Sequence, residues 1–254
     1  MKRILILTIA TVFVCFSGCI IVNLGDLNAV KPEGRQEIFE IYVAEFSKVK
    51  ANGFFDINYY SEPSDTIELK VHPNLLEYFI FEVIDDELVI RTSKRISYGE
   101  NETAVVSISM PTLNGITIDG FGRSLGGFGS MNTFTAVDKI SSDSFFITIA
   151  GAGGGRVELD VDNLIVDVFG AGKLELSGRA GTSVLNLSGA GELDALSLQT
   201  LNTTINLSGA GTLSIYCSDN LTINASGAGS VVYRGAPNIN LNTGGAVNIK
   251  QLSY

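Results

Sequence analysis

Five copies of one tripeptide set the terms for this chain: Gly151-Ala152-Gly153, Gly170-Ala171-Gly172, Gly189-Ala190-Gly191, Gly209-Ala210-Gly211 and Gly227-Ala228-Gly229. Gly244-Gly245-Ala246 is an altered sixth. The steps from first glycine to first glycine are 19, 19, 20 and 18 residues, with 18 more to Gly245. A fixed period of this length is the mark of a solenoid, whose repeats bury their apolar sides only against one another.

The residues around each tripeptide alternate with period two. Before the glycines stand Ile147-Thr148-Ile149, Val166-Asp167-Val168, Leu185-Asn186-Leu187, Ile205-Asn206-Leu207 and Ile223-Asn224-Ala225. After them stand Leu174-Glu175-Leu176, Leu193-Asp194-Ala195, Leu213-Ser214-Ile215 and Val231-Val232-Tyr233. Period two belongs to half-buried strands. Each repeat thus reads as strand, glycine corner, strand and a looser return, with the first glycine supplying the positive φ of a sharp corner. The expected fold is all-β: a single-stranded parallel β-helix, or solenoid, with coils of about 19 residues.

Two other glycine motifs are excluded. A dinucleotide fingerprint must open a helix, whereas Gly170-Ala171-Gly172 precedes the strand pattern Lys173-Leu174-Glu175-Leu176. Calcium-binding nonapeptide repeats need a nine-residue period, which is absent. No cofactor is expected.

At the N-terminus Lys2-Arg3 precedes an apolar run from Ile4 to Phe16 and then Ser17-Gly18-Cys19. This pattern predicts a signal peptide over 1–18. The small pair before Cys19 resembles a bacterial lipobox, with Phe16 where leucine is usual. That resemblance implies lipidation of Cys19. The alternative is an uncleaved anchor, since Ile20-Ile21-Val22 prolongs the apolar run. Residues 19–44 are expected as a tether and 45–254 as the solenoid. Cys15 would leave with the signal and Cys19 take lipid, so Cys217 has no disulfide partner. A net charge of −10 argues against nucleic acid as a partner.

Between the tether and the repeats lie further alternating segments, including Phe55 to Tyr59, Thr66 to Val71 and Thr103 to Met110. Pro73 to Tyr78 predicts a single helical turn. Asp85-Asp86-Glu87 predicts a hairpin or a solenoid corner. Ile116-Thr117-Ile118 runs into Gly120-Phe121-Gly122, a divergent first corner 31 residues before Gly151. The surplus lies between Arg123 and Asp138.

Phe46-Ser47-Lys48-Val49, Asn52-Gly53-Phe54-Phe55-Asp56-Ile57, Asp86-Glu87-Leu88-Val89-Ile90, the Ser-Gly-Ala-Gly repeats and Val232-Tyr233-Arg234-Gly235-Ala236-Pro237 together resemble the bacterial head GIN domain family of auto-transporter adhesins. The resemblance spans about Glu45 to Lys250 and implies an all-β solenoid in envelope proteins that are often lipid-anchored. It brings no catalytic residues. Cys19, rather than a C-terminal membrane barrel, is the expected anchor, placing the protein in the envelope at the outer membrane.

Candidate chemistry is sparse. Glu158, Glu175, Asp194 and Ser214 are expected to stack outward after the corners, either as a solvated acidic face or as a weak cation site. Thr148, Asp167, Asn186, Asn206 and Asn224 are expected to stack outward before the corners, fixing register by amide hydrogen bonds or holding sugars. His72, the only histidine, is expected in a turn. The aromatic group from Phe54 to Phe81 is expected to fill the core and cap an end of the solenoid. Repeat proteins often carry their binding face on insertions, so Phe121, Arg123, Leu125 and Phe128 are the candidate ligand contacts. The expected function is a non-catalytic, lipid-anchored envelope module that binds a surface glycan or a protein. The alternative is a carbohydrate-active enzyme, for which Arg123, Lys139 and Asp143 are the nearest candidates.

Overall fold

The computed structural model describes residues 29–64, 66–99, 102–120 and 132–253. Strand makes up 71% of it and helix 3%, and the strands wind into a parallel β-solenoid. The strands are β1 (Glu37–Tyr42), β2 (Lys48–Asn52), β3 (Phe55–Tyr60), β4 (Thr66–Val71), β5 (Phe79–Ile84) and β6 (Glu87–Thr92). There follow β7 (Ala104–Ser109), β8 (Gly115–Gly120), β9 (Thr133–Ala136), β10 (Ile140–Gly151), β11 (Gly154–Gly170) and β12 (Lys173–Gly189). The last are β13 (Glu192–Gly209), β14 (Thr212–Gly227), β15 (Ser230–Arg234), β16 (Asn238–Gly245) and β17 (Asn248–Gln251).

Each Gly-Ala-Gly corner separates two arms. The arm before the corner stacks in the order β6, β2, β8, β10, β11, β12, β13, β14, β16, all parallel. From β11 to β16 its register is unbroken. Register shifts fall on the other arm, between Glu175 and Ser177 and between Ala195 and Gln199, and at the bend between Thr200 and Asn202. Inward columns such as Val166–Leu185–Ile205–Ile223 and Val168–Leu187–Leu207–Ala225 are buried along their length.

The corner shows why its residues are what they are. Gly170 has φ +116°, and a Cβ there would lie 2.5 Å from the Gly151 carbonyl oxygen. The first glycine must therefore tolerate both a left-handed backbone and the corner beneath it. The Ala N–H between the glycines closes the stack: Ala171 donates to Gly151 O at 2.9 Å and Ala190 to Gly170 O at 2.8 Å. Gly120 occupies the same column, paired with Gly151, while Phe121 and Gly122 of the expected divergent corner lie outside the described residues.

The N-terminal end is covered by antiparallel strands. β1 pairs with β4, β4 with β7, and β5 with β6. Asp85 and Asp86, both at positive φ, form the two-residue turn of the β5–β6 hairpin, which decides between the two expectations for that segment. Pro73–Tyr78 forms one 3₁₀ turn. Phe55 and Tyr59 are fully buried, and the Phe55 and Phe79 rings lie 5.7 Å apart, so these aromatics fill the core as expected.

Two expectations need correction. The stretch 19–44 is not all tether: Val30 N–H donates to Arg95 O, and β1 pairs along its whole length with β4. Phe39 and Ile41 pack on the core, a two-residue inward signal too short to stand out on either side of Glu40. The surplus between Arg123 and Asp138 is not all insert either, because β9 is a regular rung between β3 and β11. His72 stands where it was expected, at the start of the 3₁₀ turn with its carbonyl accepting from Leu75 N–H at 2.9 Å, and its ring is buried with Nε2 3.2 Å from Glu102 Oε1.

Candidate functional site

Because the arm before the corner has unbroken register, every second residue builds a straight outward column. Four columns result: Asn202, Thr204, Asn206 and Ser208 on β13 stand directly beside Asn220, Thr222, Asn224 and Ser226 on β14. β12 contributes Thr182, Val184, Asn186 and Ser188, and β16 contributes Asn238, Asn240, Asn242 and Gly244. Rungs are ~4.8 Å apart and columns two residues apart, ~6.6 Å. No residue of these four segments, 182–189, 202–209, 220–227 and 238–245, is charged. In a chain of net charge −10 this is an unusual neutral face.

The third position of each set is the amide column expected from sequence. Asn186 Nδ2 donates to Asp167 Oδ1 at 2.6 Å, Asn206 to Asn186 at 2.7 Å, Asn224 to Asn206 at 2.8 Å and Asn242 to Asn224 at 2.9 Å. A carboxamide has two N–H donors and two acceptor lone pairs. The ladder uses one of each, so every rung still presents one donor and one acceptor outward. A second ladder, not foreseen, links Asn220 to Asn202 at 2.7 Å and Asn238 to Asn220 at 3.5 Å. Ser188, Ser208 and Ser226 add exposed hydroxyls on the other side of the amides. Between the Asn and Ser columns runs an open groove of about 470 Å³, spanning β12 to β16.

On the next coils the same columns turn apolar. Phe146 is 43% exposed and pairs with half-buried Ile165, and Phe169, one rung before Ser188, is 48% exposed. Two aromatic faces thus flank the Asp167 end of the amide ladder. Period two alone marks these positions as outward, but nothing in sequence said that they would be aromatic platforms in line with a polar grid.

The expected acidic column is corrected by the register. Glu158 pairs with Ser177, and the residue in line with Glu175, Asp194 and Ser214 is Arg156. Arg156 Nη2 and Nε lie 2.7 and 2.9 Å from Glu175 Oε2. Lys173 Nζ lies 3.3 Å from Glu192 Oε1 and 3.8 Å from Glu175 Oε1. The Arg156 hydrogen bond and charge, helped by Lys173, hold the Glu175 carboxyl below its ordinary value. The arm is a zipper of opposite charges, and among the described residues no three His, Cys, Asp or Glu side chains are grouped to hold a metal.

Of the other candidates, Lys139 pairs with Asp160 at 3.5 Å, and the Asp143 carbonyl accepts from Asn163 at 3.4 Å. Cys217 is buried, its thiol donating to the Asn220 and Leu201 carbonyls at 3.2 and 3.3 Å. Cys19, Phe121, Arg123, Leu125 and Phe128 lie outside the described residues.

Several solved structures share this shape. One described as a putative adhesin from Bacteroides fragilis superposes with a TM-score of 0.76 at 23% identity, covering 88% of this chain and 100% of its own. A structure described as a putative lipid binding protein from Parabacteroides distasonis gives 0.69 at 18% identity, with 89% and 100% covered. A third, described as a putative adhesin from Parabacteroides merdae, gives 0.63 at 20%, again with 89% and 100% covered. At such identities the likeness is one of fold. No curated protein matches the chain. Residues 45–237 match the family described as "Putative auto-transporter adhesin, head GIN domain", and the chain belongs to that family.

Proposed function

We propose that the chain is a non-catalytic binding module of the cell envelope, and that its ligand is an extended, uncharged glycan lying on the grid before the glycine corners. The family's adhesin description supports binding and a surface or envelope location. The single observation that carries the choice of ligand is the neutral Asn–Thr–Ser grid with its groove between Asn186 and Gly244. Sugar hydroxyls both donate and accept, and the grid offers donor and acceptor together on each rung. Phe146 and Phe169 supply apolar faces on which a pyranose ring can stack. Rungs ~4.8 Å apart approach the length of one sugar in an extended chain, so successive residues meet successive coils.

The same reading includes cleavage of 1–18, lipidation at Cys19 and an outer-membrane address, all supported by the Phe16-Ser17-Gly18-Cys19 pattern. Phe121, Arg123, Leu125 and Phe128 stand in it as accessory contacts, supported by their place next to Gly120 at the first corner.

A glycan array probed with the intact protein tests the ligand class, and titration calorimetry on a hit tests the site. Replacing Asn206 and Asn224 by Ala removes two presented amides at about 1 kcal/mol each, so affinity should fall roughly 30-fold. Unchanged affinity places the site elsewhere, with Phe121 to Phe128 the next segment to remove. Silence across neutral glycans, with capture of an envelope protein instead, replaces the glycan by a protein partner.

A further inference from the structure

The two ends of the solenoid are finished differently. At the N-terminal end the edge strands β1 and β5 carry Glu37, Glu40 and Glu82, charges that discourage further pairing. At the other end, among the described residues, β16 pairs only with β14 and its second edge has no partner strand. Its eight residues, Asn238-Ile239-Asn240-Leu241-Asn242-Thr243-Gly244-Gly245, include no charge and no proline. The inward columns are open there as well. Leu221 and Ile223 are 1% and 0% exposed, whereas the residues above them, Ile239 and Leu241, are 42% and 52% exposed. Terminal repeats of solenoids ordinarily need a polar cap.

We infer that this end binds a second copy of the same chain, β16 pairing antiparallel with β16 about a two-fold axis through Asn240. The sequence of the strand supports that occupant. Centring on Asn240 sets Ile239 opposite Leu241 of the second copy and Asn238 opposite its Asn242, so apolar meets apolar inside and amide meets amide outside. A two-fold axis normal to the sheet reverses strand and solenoid directions together but leaves the outward face outward. Antiparallel pairing therefore continues the stack without exposing its interior. The charged, covered N-terminal end rules out head-to-tail growth, so the contact is isologous and closes at two copies. Both polar grids then lie in one plane, facing the same way.

Disulfide trapping in the full-length protein tests the register, because opposed residues of an antiparallel pair have Cα atoms ~4.5–5.5 Å apart, within disulfide range. Under mild oxidation Asn240→Cys should form a covalent dimer in high yield. Asn220→Cys, one coil back on the same face, should form none beyond the wild-type background. Equal yields from both would mean chance encounter and overturn the proposal. Sedimentation of the wild type in density-matched detergent should give twice the chain mass, and Leu241→Lys, checked for folding by circular dichroism, should give one. A single-chain mass for the wild type at tens of micromolar also overturns it, leaving a different protein or a further segment of chain as the cover.

Discussion

Asn206 lies directly above Asn186, its Nδ2 2.7 Å from the Asn186 Oδ1, while the next residues in the chain, Leu207 and Leu187, stack in the same two coils with 2% and 1% exposure. One residue step thus separates a partly solvated amide ladder from a dry core. Leu187→Ala should cost about 2–5 kcal/mol, the range for deleting a buried leucine. Asn186→Ala should cost about 1 kcal/mol, since its hydrogen bonds compete with water. Chemical denaturation of the two variants checks the order, and a larger loss at Asn186 would reverse the assignment of the faces.

The glycine corner gives an internally controlled pair. Gly170→Ala places a methyl 2.5 Å from the Gly151 carbonyl oxygen at a φ of +116°. It should destabilise by more than 3 kcal/mol, above the ~1–3 kcal/mol of backbone strain alone. At Gly244 an added Cβ meets nothing within 4 Å, and the backbone is not left-handed. Gly244→Ala should be neutral or stabilise by about 0.4–1 kcal/mol through the unfolded state. Thermal melts of the two proteins suffice.

Tyr59 makes the fold sensitive to alkali. Its hydroxyl donates to the Met110 carbonyl at 2.9 Å, and burial, with the Asp138 carboxylate adding to it, raises its pKa above 10.0. The folded state therefore holds this proton more tightly than the unfolded chain. The resulting stability is full below pH ~10 and is lost as pH rises through the folded-state value. Denaturation midpoints should fall above pH ~10, and Tyr59→Phe should flatten that fall while costing about 1 kcal/mol at neutral pH. An equally steep fall in the variant would assign the effect to other groups.

The anchor is tested by metabolic labelling. Wild-type protein should incorporate fatty acid, Cys19→Ala should not, and Cys15→Ala should label as the wild type does. An unlabelled wild type would leave the uncleaved apolar segment as the attachment.

The solenoid was legible because its signal is repeated: Gly-Ala-Gly corners and period-two arms say the same thing five times, and local noise averages out. The amide column followed from the same regularity. The acidic column misled because Glu158 was matched by its charge and not by its place: the fifth residue after each first glycine is Arg156, Glu175, Asp194 and Ser214, and β11 pairs with β12 there without a shift. Glu158 was placed where Arg156 stands, and an ion-pair zipper was mistaken for stacked carboxylates. β1 was missed for a different reason: its pairing with β4 is a single long-range contact that no neighbouring copy announces. The aromatic platforms escaped notice because Phe169 breaks its serine column only once, and Phe146 joins Ile165 and Val184 in one column only when the register lines them up.

The placing of the register shifts also says how this fold tolerates change. From Gly189 to Gly209 the coil has 20 residues and from Gly209 to Gly227 it has 18, yet the arm bearing the grid stays in phase. The difference is taken up around Leu196 to Leu198 and Ser218 to Asp219, on the far side of the coil and its bend. A residue gained or lost there is absorbed by a bulge. The same event between Asn202 and Gly209 would turn Leu207 outward and Asn206 inward at a stroke. The chain is thus divided lengthwise into an edge where coding insertions and deletions can accumulate and an edge where only substitutions are open to it.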